Sequence, residues 1–448
     1  MSRPAYPFEV RSADVLRIAV PASIAFITEP VAGMVDIMVI GRLGDAGQLG
    51  GVVLAALIFD FIFSLAYFLR IGTAGLTAQA VGARDPRDGL LHVARSLGIG
   101  IIAGVLMIAL QVPFLMLANA VMAPSETVAH ALAQYFQVRI WAAPFSLMNY
   151  ALLGWFYGRA AATTGMLLQM IMHGFDITLS IWFVWGLGWG VPGAALATVI
   201  GAMASTAAGL FLLIRHFGGV RKMLALIVPA ELLDTTALRR KFALSRDLMI
   251  RSVALMTAYG YFAAQGSRMG EVALSANAIL LNFLMIGAFF LDGIAQAAEQ
   301  LCGKAVGANW RPAFDRGYAL SMKWGFAISA VLMVLMLAGG PALIDFMTTN
   351  EAVREQARLF LWFAAVSMVT SMPAFLYDGI LTGVTLNVVM RNGMLISLVL
   401  FLAAALVLQP LMGNAGLWMA LHLWFIGRAG VYWWALERKK AGLFVGAA

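Results

Sequence analysis

Charge is scarce in this chain. Asp, Glu, Lys and Arg make up only 12% of its 448 residues, about half of the ~25% usual in soluble domains. Too few charged groups remain to clothe a water-soluble surface. Cysteine is nearly missing: the single Cys302 excludes a disulfide framework or a zinc cluster and reads as a small apolar filler. No P-loop, GxGxxG, HExxH or GxSxG pattern occurs. With no nucleophile–base set, no metal-ligand spacing and no soluble domain, a membrane enzyme or receptor is disfavoured, and no cofactor or metal is expected. Apolar residues are abundant at 62%, which excludes disorder. The chain reads as a polytopic membrane protein.

A spanning helix takes about 20 mostly apolar residues. Gly, Pro and charge clusters divide the chain into twelve such runs, near 15–40, 50–73, 90–118, 129–156, 163–187, 191–214, 249–266, 272–302, 317–344, 355–383, 389–411 and 414–436. None shows the alternating ~10-residue pattern of an outer-membrane barrel, so an all-α fold of twelve transmembrane helices is expected. The stretch from Met1 to Val10 is polar and carries Glu9. It is not a basic region before a cleavable signal, so the first helix is expected to stay in the mature protein.

Lys and Arg near helix ends set orientation. With the N-terminus inside, the inner side holds Arg3, Arg11, Arg17, the eight basic residues from Arg215 to Arg251, Lys304, Arg391, Lys440 and others, 23 of the 30 in all. The outer loops hold Arg42, Arg268, Arg354 and Arg358, and Arg70, Arg139 and Arg428 lie inside spans. Both termini are therefore expected in the cytoplasm. The +8 net charge reflects orientation in the membrane rather than a nucleic-acid partner.

The sequence also repeats itself. Ala80-Val81-Gly82-Ala83 returns as Ala305-Val306-Gly307-Ala308 at an offset of 225, "GRLGD" at 41–45 as "SRMGE" at 267–271, and "PGAALA" at 192–197 as "AGLWMA" at 415–420. Each copy holds six helices. Because six is even, both copies enter the membrane the same way, related by an axis along its normal, as in some secondary transporters. The expected layout is a cytoplasmic arm (1–14), an N-lobe (15–214), a cytoplasmic linker (215–248), a C-lobe (249–436) and a cytoplasmic tail (437–448). The transport site is expected near the midplane, in or between the lobes.

Four stretches, "PVAGMVDIMVIGRLGD" (30–45), "FLRIGTAGLTAQAVGARD" (68–85), "IWAAPFSLMNYALLGWFYGR" (140–159) and "YDGILTGVTLNVVMRNGMLIS" (377–397), resemble the DinF-like branch of the multidrug and toxic compound extrusion (MATE) transporters. The resemblance runs through nearly the whole chain and is weakest in the linker and ninth helix. It implies two six-helix lobes and efflux of organic, often cationic compounds, driven by inward proton or sodium flux.

Ionisable groups inside a span cost about 2.5–3.5 kcal/mol on insertion scales and are functional candidates by default. Asp36 lies mid-span between Val35 and Ile37. A carboxyl there can hold a proton or a cation but hardly both, the minimal chemistry of an antiporter; the plainer reading is a packed, permanently protonated Asp. The resemblance places the central proton- or ion-binding carboxylate at this position. It likewise matches Pro21 to the family proline at which the first helix is proposed to bend. A helical Pro removes one backbone hydrogen bond, though Pro is common in membrane helices without gating. Glu29, seven residues before Asp36 on the same face, is either a relay carboxylate or an interfacial group.

The fifth helix departs from the family pattern. Where the family has Asn-Ile-x-Leu-Asp, this chain reads Asp176-Ile177-Thr178-Leu179-Ser180. The acid has moved one turn while keeping its face, since i and i+4 align. His173 sits one turn earlier. A relocated N-lobe site of Asp36, Asp176 and His173 is expected; the alternative is that Asp176 and His173 simply pair. Asn149 and Thr198 match polar family positions and are expected to supply hydrogen bonds.

The C-lobe holds Asp292 and Glu299, seven apart on one face, and Asp378 in "YDG". These are secondary candidates, unless they and Asp60 pair with intramembrane cations as structural locks. With 26 Met, 28 Phe and 12 Trp, a promiscuous cavity for flat cations is feasible, although most of these residues are expected to face lipid or pack. The expected function is export of organic, cationic, lipophilic compounds in exchange for protons, by a monomer in the bacterial inner membrane. A sodium-coupled exporter or a lipid-linked glycan flippase of the wider superfamily is the alternative. The flippase would want a cationic cavity, whereas the first helix has acids and no mid-span Lys or Arg.

Overall fold

The computed structural model describes residues 4–232 and 234–444. Residues 1–3 of the expected arm (with Arg3), residue 233 of the linker and residues 445–448 of the tail lie outside the described residues. Twelve long helical runs follow one another: α1 (Ser12–Gly41), α2 (Ala46–Gly82), α3 (Pro86–Ala109, continued by Gln111–Met122), α4 (Glu126–Arg139, a 3-10 turn at Ile140–Ala142, then Ala143–Gly158), α5 (Ala162–Ile181 with a π-turn at Trp182–Gly186), α6 (Gly190–His216), α7 (Thr235–Arg268), α8 (Glu271–Gly307), α9 (Arg311–Met347), α10 (Glu351–Gly383), α11 (Asn387–Met412) and α12 (Asn414–Lys440). Each expected run falls on one of them. No strand occurs among the described residues.

Among the described residues, nine of the twelve are long and apolar enough to cross a membrane by length and composition alone. The other three are α4, which the 3-10 turn divides into helices of 14 and 16 residues, and α7 and α12, which carry Arg251 and Gln265, and Asn414, His422 and Arg428, within their spans. Two helix starts are capped by aspartates. Asp45 accepts from the Gly47 and Gln48 amides at 2.8 and 3.1 Å, and Asp85, just before Pro86, accepts from the Asp88 amide at 2.9 Å. Such caps satisfy amides that a helix leaves orphaned.

The 225-residue repeat is written into the backbone. Arg84 and Asn309 turn left-handed at φ 58° and 50°, and Ala160 and Thr385 both at 58°. Gly154 and Gly158 let α4 approach α2 so closely that an added Cβ would lie 2.5 Å from the Arg70 and Ala74 carbonyls. Their counterparts 225 residues on, Gly379 and Gly383, let α10 approach α8 so closely that an added Cβ would lie 2.1 Å from the Ala295 and Glu299 carbonyls. These are small-xxx-small contacts of the kind that drive membrane helices together.

The described chain forms two compact units. One comprises Ile24–Ala80 and Asp85–Phe242. Its core gathers Phe59, Leu132, Tyr135 and Phe136 with Val39 and Ile40 of α1. The linker is fastened to this unit: Arg87 reaches both Glu231 carboxylate oxygens at 2.8 and 2.9 Å, and Arg95 donates to the Glu231 carbonyl at 2.6 Å. The other unit comprises α7 from Ala243 on and α8–α12, with Val81–Arg84 and the chain up to Ser23. Its core gathers Phe262, Phe401, Trp418 and Trp424, with Phe262 edge-on to Trp418, and an Asn277–Asn414 amide pair lies beside them at 2.7 and 2.9 Å. Here the Tyr6 amide donates to the Ala308 carbonyl at 2.9 Å. Gly293 packs so near Ala19 and Ser23 that a Cβ would lie 2.0 Å from the Ser23 hydroxyl. The unbroken helix α1 is thus shared by both units, divided two residues after Pro21.

Candidate functional site

The unit built on α2–α6 brings together both acids expected there. Asp36 lies on the buried stripe of α1 with Ala25, Ala32 and Val39, at spacings of seven, four and three residues that keep one face inward. It is 5% exposed, and Ser180 Oγ of α5 donates to its Oδ1 at 2.7 Å. The position that carries an acid in the family motif therefore supplies a hydroxyl to Asp36. One turn earlier, Asp176 is 6% exposed, and Thr198 Oγ1 of α6 donates to its Oδ1 at 2.9 Å. Asp36 and Asp176 lie within each other's electrostatic reach.

Local backbone geometry positions both acids. Immediately after Ser180, α5 widens into the π-turn, a feature that often marks functional sites. The turn lets the Trp185 indole donate to the Val39 carbonyl at 3.1 Å, which fixes α5 against this part of α1. Gly201 of α6 packs with its Cβ position 2.4 Å from the Met172 carbonyl, so α5 and α6 approach closely beside Thr198.

His173 is buried at 7% exposure, and neither ring nitrogen has a hydrogen-bond partner among the described residues. It makes no hydrogen bond to Asp176, so the expected alternative of a simple Asp176–His173 pair is not what the fold builds. Asn149 belongs to a neighbouring hydroxyl–amide cluster instead of touching either acid. Ser205 Oγ donates to its Oδ1 at 2.9 Å, and its Nδ2 approaches Met172 Sδ at 3.4 Å. Pro21 falls in the other unit.

Four further groups belong to this neighbourhood. Glu29 shares the α1 stripe with Asp36, yet its side chain is exposed; with Asp60 it lies in the field of Arg139. Arg70 stacks on Tyr67, Phe26 and Tyr157 at 4.3, 4.7 and 5.5 Å. Asp60, for which a structural lock is one of the two readings of the sequence, makes no ion pair among the described residues.

The second unit uses its acids differently. Asp378 is clamped by Arg251, with Nε–Oδ1 at 3.3 Å and Nη2–Oδ2 at 2.8 Å, and Arg428 stands 3.9 Å from the same Oδ2. Arg251 counts with the inner basic cluster in the sequence; the fold inserts it into the packed part of α7. Glu299 accepts from Gln296 Nε2 at 2.9 Å, and Asp292 lies in the field of Arg251. Sequence patterning missed Arg251, Ser205 and Gln296, because pairing across helices leaves no periodic trace. Among the described residues, no group of three His, Cys, Asp or Glu side chains could hold a metal ion.

The MatE family model matches residues 21–182 and 252–411. DNA damage-inducible protein F of Escherichia coli (strain K12) is 34% identical over 426 residues, covering 94% of this chain and 91% of its own. Multidrug export protein MepA of Staphylococcus aureus (strain N315) is 22% identical over 398 residues, covering 87% of each chain. A solved structure described as MATE in the straight conformation superimposes with a TM-score of 0.87 at 19% identity, over 96% of both chains.

Proposed function

This chain belongs to the MatE family of multi-pass membrane transporters, and from that premise we propose that it is a secondary antiporter exporting organic, cationic, lipophilic compounds in exchange for protons. The observation that carries the reading is the pair Asp36 and Asp176: buried carboxyls on helices long and apolar enough to span a membrane, each held by one hydroxyl and each sensing the other's charge. Such a pair titrates as a unit. Taking up protons discharges the site and releases a bound cation; losing them restores the negative charge that draws the next cation in. MepA, a relative, is named as a multidrug export protein, which agrees with efflux.

Proton coupling is favoured over sodium because the position where the family pattern has Asn holds the acid Asp176, with the proton-active His173 one turn earlier. A sodium cage would use neutral oxygens as ligands beside the carboxylates. Each pH unit across the membrane supplies about 1.36 kcal/mol per proton. His173, Ser180, Asn149 and Thr198 complete the N-lobe site, and Pro21 is the bending point of α1, two residues from where the helix passes from one unit to the other. The transporter works as a monomer in the bacterial inner membrane with both termini cytoplasmic, by alternating access.

The deciding experiment is dye efflux from inverted vesicles under a proton or a sodium gradient imposed separately. Transport is expected to follow the proton gradient, and Asp36→Asn to abolish it while the protein still folds and inserts. Efflux that follows sodium and ignores pH would leave the exporter reading intact and its coupling ion wrong. Full drug resistance from Asp36→Asn, in cells lacking other pumps, would remove the carboxyl from the mechanism.

A further inference from the structure

Where α4 and α6 end, basic side chains gather without an acid. Arg159 closes α4 and stacks on the buried Trp155 ring at 4.6 Å. His216 closes α6, lies edge-on to the same indole at 5.4 Å, and its Nε2 accepts from Arg159 Nη1. Gly218 and Gly219 then turn the chain back through positive φ values of 76° and 111°. The turn lays Lys222 over Gly218, where an added Cβ would stand 3.3 Å from its Cδ and 3.6 Å from its Nζ. Arg215 and Arg221 flank the group and are exposed. Among the described residues, none of these five comes within the 4.0 Å of an ion pair with a carboxylate.

Cations suit the C-terminal end of a helix, but two helix ends do not account for five basic groups, nor for what lies beside them. Val220 and Leu224, one turn apart on one face of the short helix Val220–Ala225, are 51% and 56% exposed, and Leu226 and Val228 follow at 37% and 40%. Exposed apolar side chains next to cations that lack acids are the makeup of a segment lying in a membrane interface, with head groups on one side and acyl chains on the other. In the orientation proposed above, that interface is the cytoplasmic leaflet, whose surface is negative. At the linker's far end the one nearby glutamate, Glu231, is already held by Arg87 at 2.8 Å.

We propose that this cluster is a binding site for an anionic phospholipid of the inner leaflet. The phosphodiester sits between Arg159, His216 and Lys222, accepting from the guanidinium and the ammonium, and the acyl chains run past Val220 and Leu224. Trp155 and His216 hold the Arg159 guanidinium, so the phosphate meets a donor already in place, and a charge-assisted hydrogen bond to it is of the stronger kind. The lipid fastens the start of the linker, whose far end Arg87 and Arg95 fasten to protein. Such a site is independent of what is exported and of the coupling ion.

The test is native mass spectrometry of the purified full-length protein, titrated with phosphatidylglycerol or with zwitterionic phosphatidylethanolamine. Phosphatidylglycerol is expected to bind more tightly. Arg159→Gln and Lys222→Gln are each expected to weaken it by ~5-fold, the effect of one basic side chain at an anionic surface, and to leave phosphatidylethanolamine unchanged. Arg11→Gln with Arg311→Gln removes two charges that already face Glu9 and Asp315, and is expected to alter neither lipid. Should Arg159→Gln fail to fold, His216→Gln with Lys222→Gln decides. Equal binding of the two lipids by the wild type overturns the proposal, as does undiminished phosphatidylglycerol binding in the variants; the basic groups then serve the helix ends alone. A loss as large in the charge-matched control overturns it too, since net charge and not this site would then hold the lipid. Retention of inorganic phosphate without a preference between the lipids would assign the site to a soluble anion instead.

Discussion

Replacing Asp378 by Asn asks whether the second unit's buried acid is a lock or a carrier. In the native protein its carboxylate is held by two contacts from Arg251, at 2.8 and 3.3 Å, with Arg428 at 3.9 Å. The side chains are 12%, 15% and 2% exposed, respectively, so little water can replace the lost partner. Removing one member of a buried pair typically costs about 3–5 kcal/mol, because the remaining charge is left uncompensated. Arg251 keeps some solvent and the field of Asp292, which favours the lower end, about 3 kcal/mol. At ~2–4 °C per kcal/mol for a body of this size, the melting temperature should fall by on the order of 10 °C. The chain carries its own reporter: Cys302, the sole cysteine, is fully buried in the same unit, so a thiol-reactive dye lights up only on unfolding. Adding Arg251→Gln to Asp378→Asn should recover at least half of the loss, and efflux per folded molecule should survive in the single variant at low temperature. Melting within about 2 °C of wild type, or a double variant no better than the single, would refute the assignment of Asp378 as a lock.

Asp176→Asn should impair efflux, and adding Ser180→Asp should restore part of it, since the two positions lie one turn apart on one face; unchanged efflux in Asp176→Asn would reduce that acid to packing. Gly379→Leu should yield no monodisperse protein on size exclusion, because a Cβ there already meets the Ala295 carbonyl at 2.1 Å. Gly174→Ala, with nothing within 4 Å, should leave the yield unchanged. Arg87→Gln should lower the melting temperature by only ~3 °C or less: both partners of the Arg87–Glu231 pair are more than 40% exposed, and such pairs contribute about 0–1 kcal/mol.

The helices were legible because membrane spanning demands long apolar runs, and every run in the sequence has its helix. The 225-residue repeat was legible too, from three short matches; that Gly154 and Gly379 perform the same close approach could not be read until the helices were paired. Asp36 and Asp176 stand out as charges in apolar surroundings, a signal that survives without coordinates. The partners of the acids do not stand out. Ser180 and Thr198 are common polar residues in membrane helices, and their relation to the carboxyls is a fact of packing between α1, α5 and α6. Arg251 was obscured differently: among the many basic residues around the linker it reads as one more interfacial charge, and only the fold shows it turned inward onto Asp378.

The sharing of α1 bears on how far the molecule can be taken apart. The two repeats invite a cut in the linker, yet such a cut would not yield two self-sufficient pieces. The first fragment would carry away the residues up to Ser23, which pack with the second half, and the second fragment would be left with Gly293 facing an empty groove and the Ala308 carbonyl without its Tyr6 donor. Helix packing in a bilayer depends on close van der Waals fit, so that groove would have to fill with lipid or a foreign helix. The halves should therefore be recoverable only when made together, and a fragment meant to stand for the second unit must bring the beginning of the chain with it.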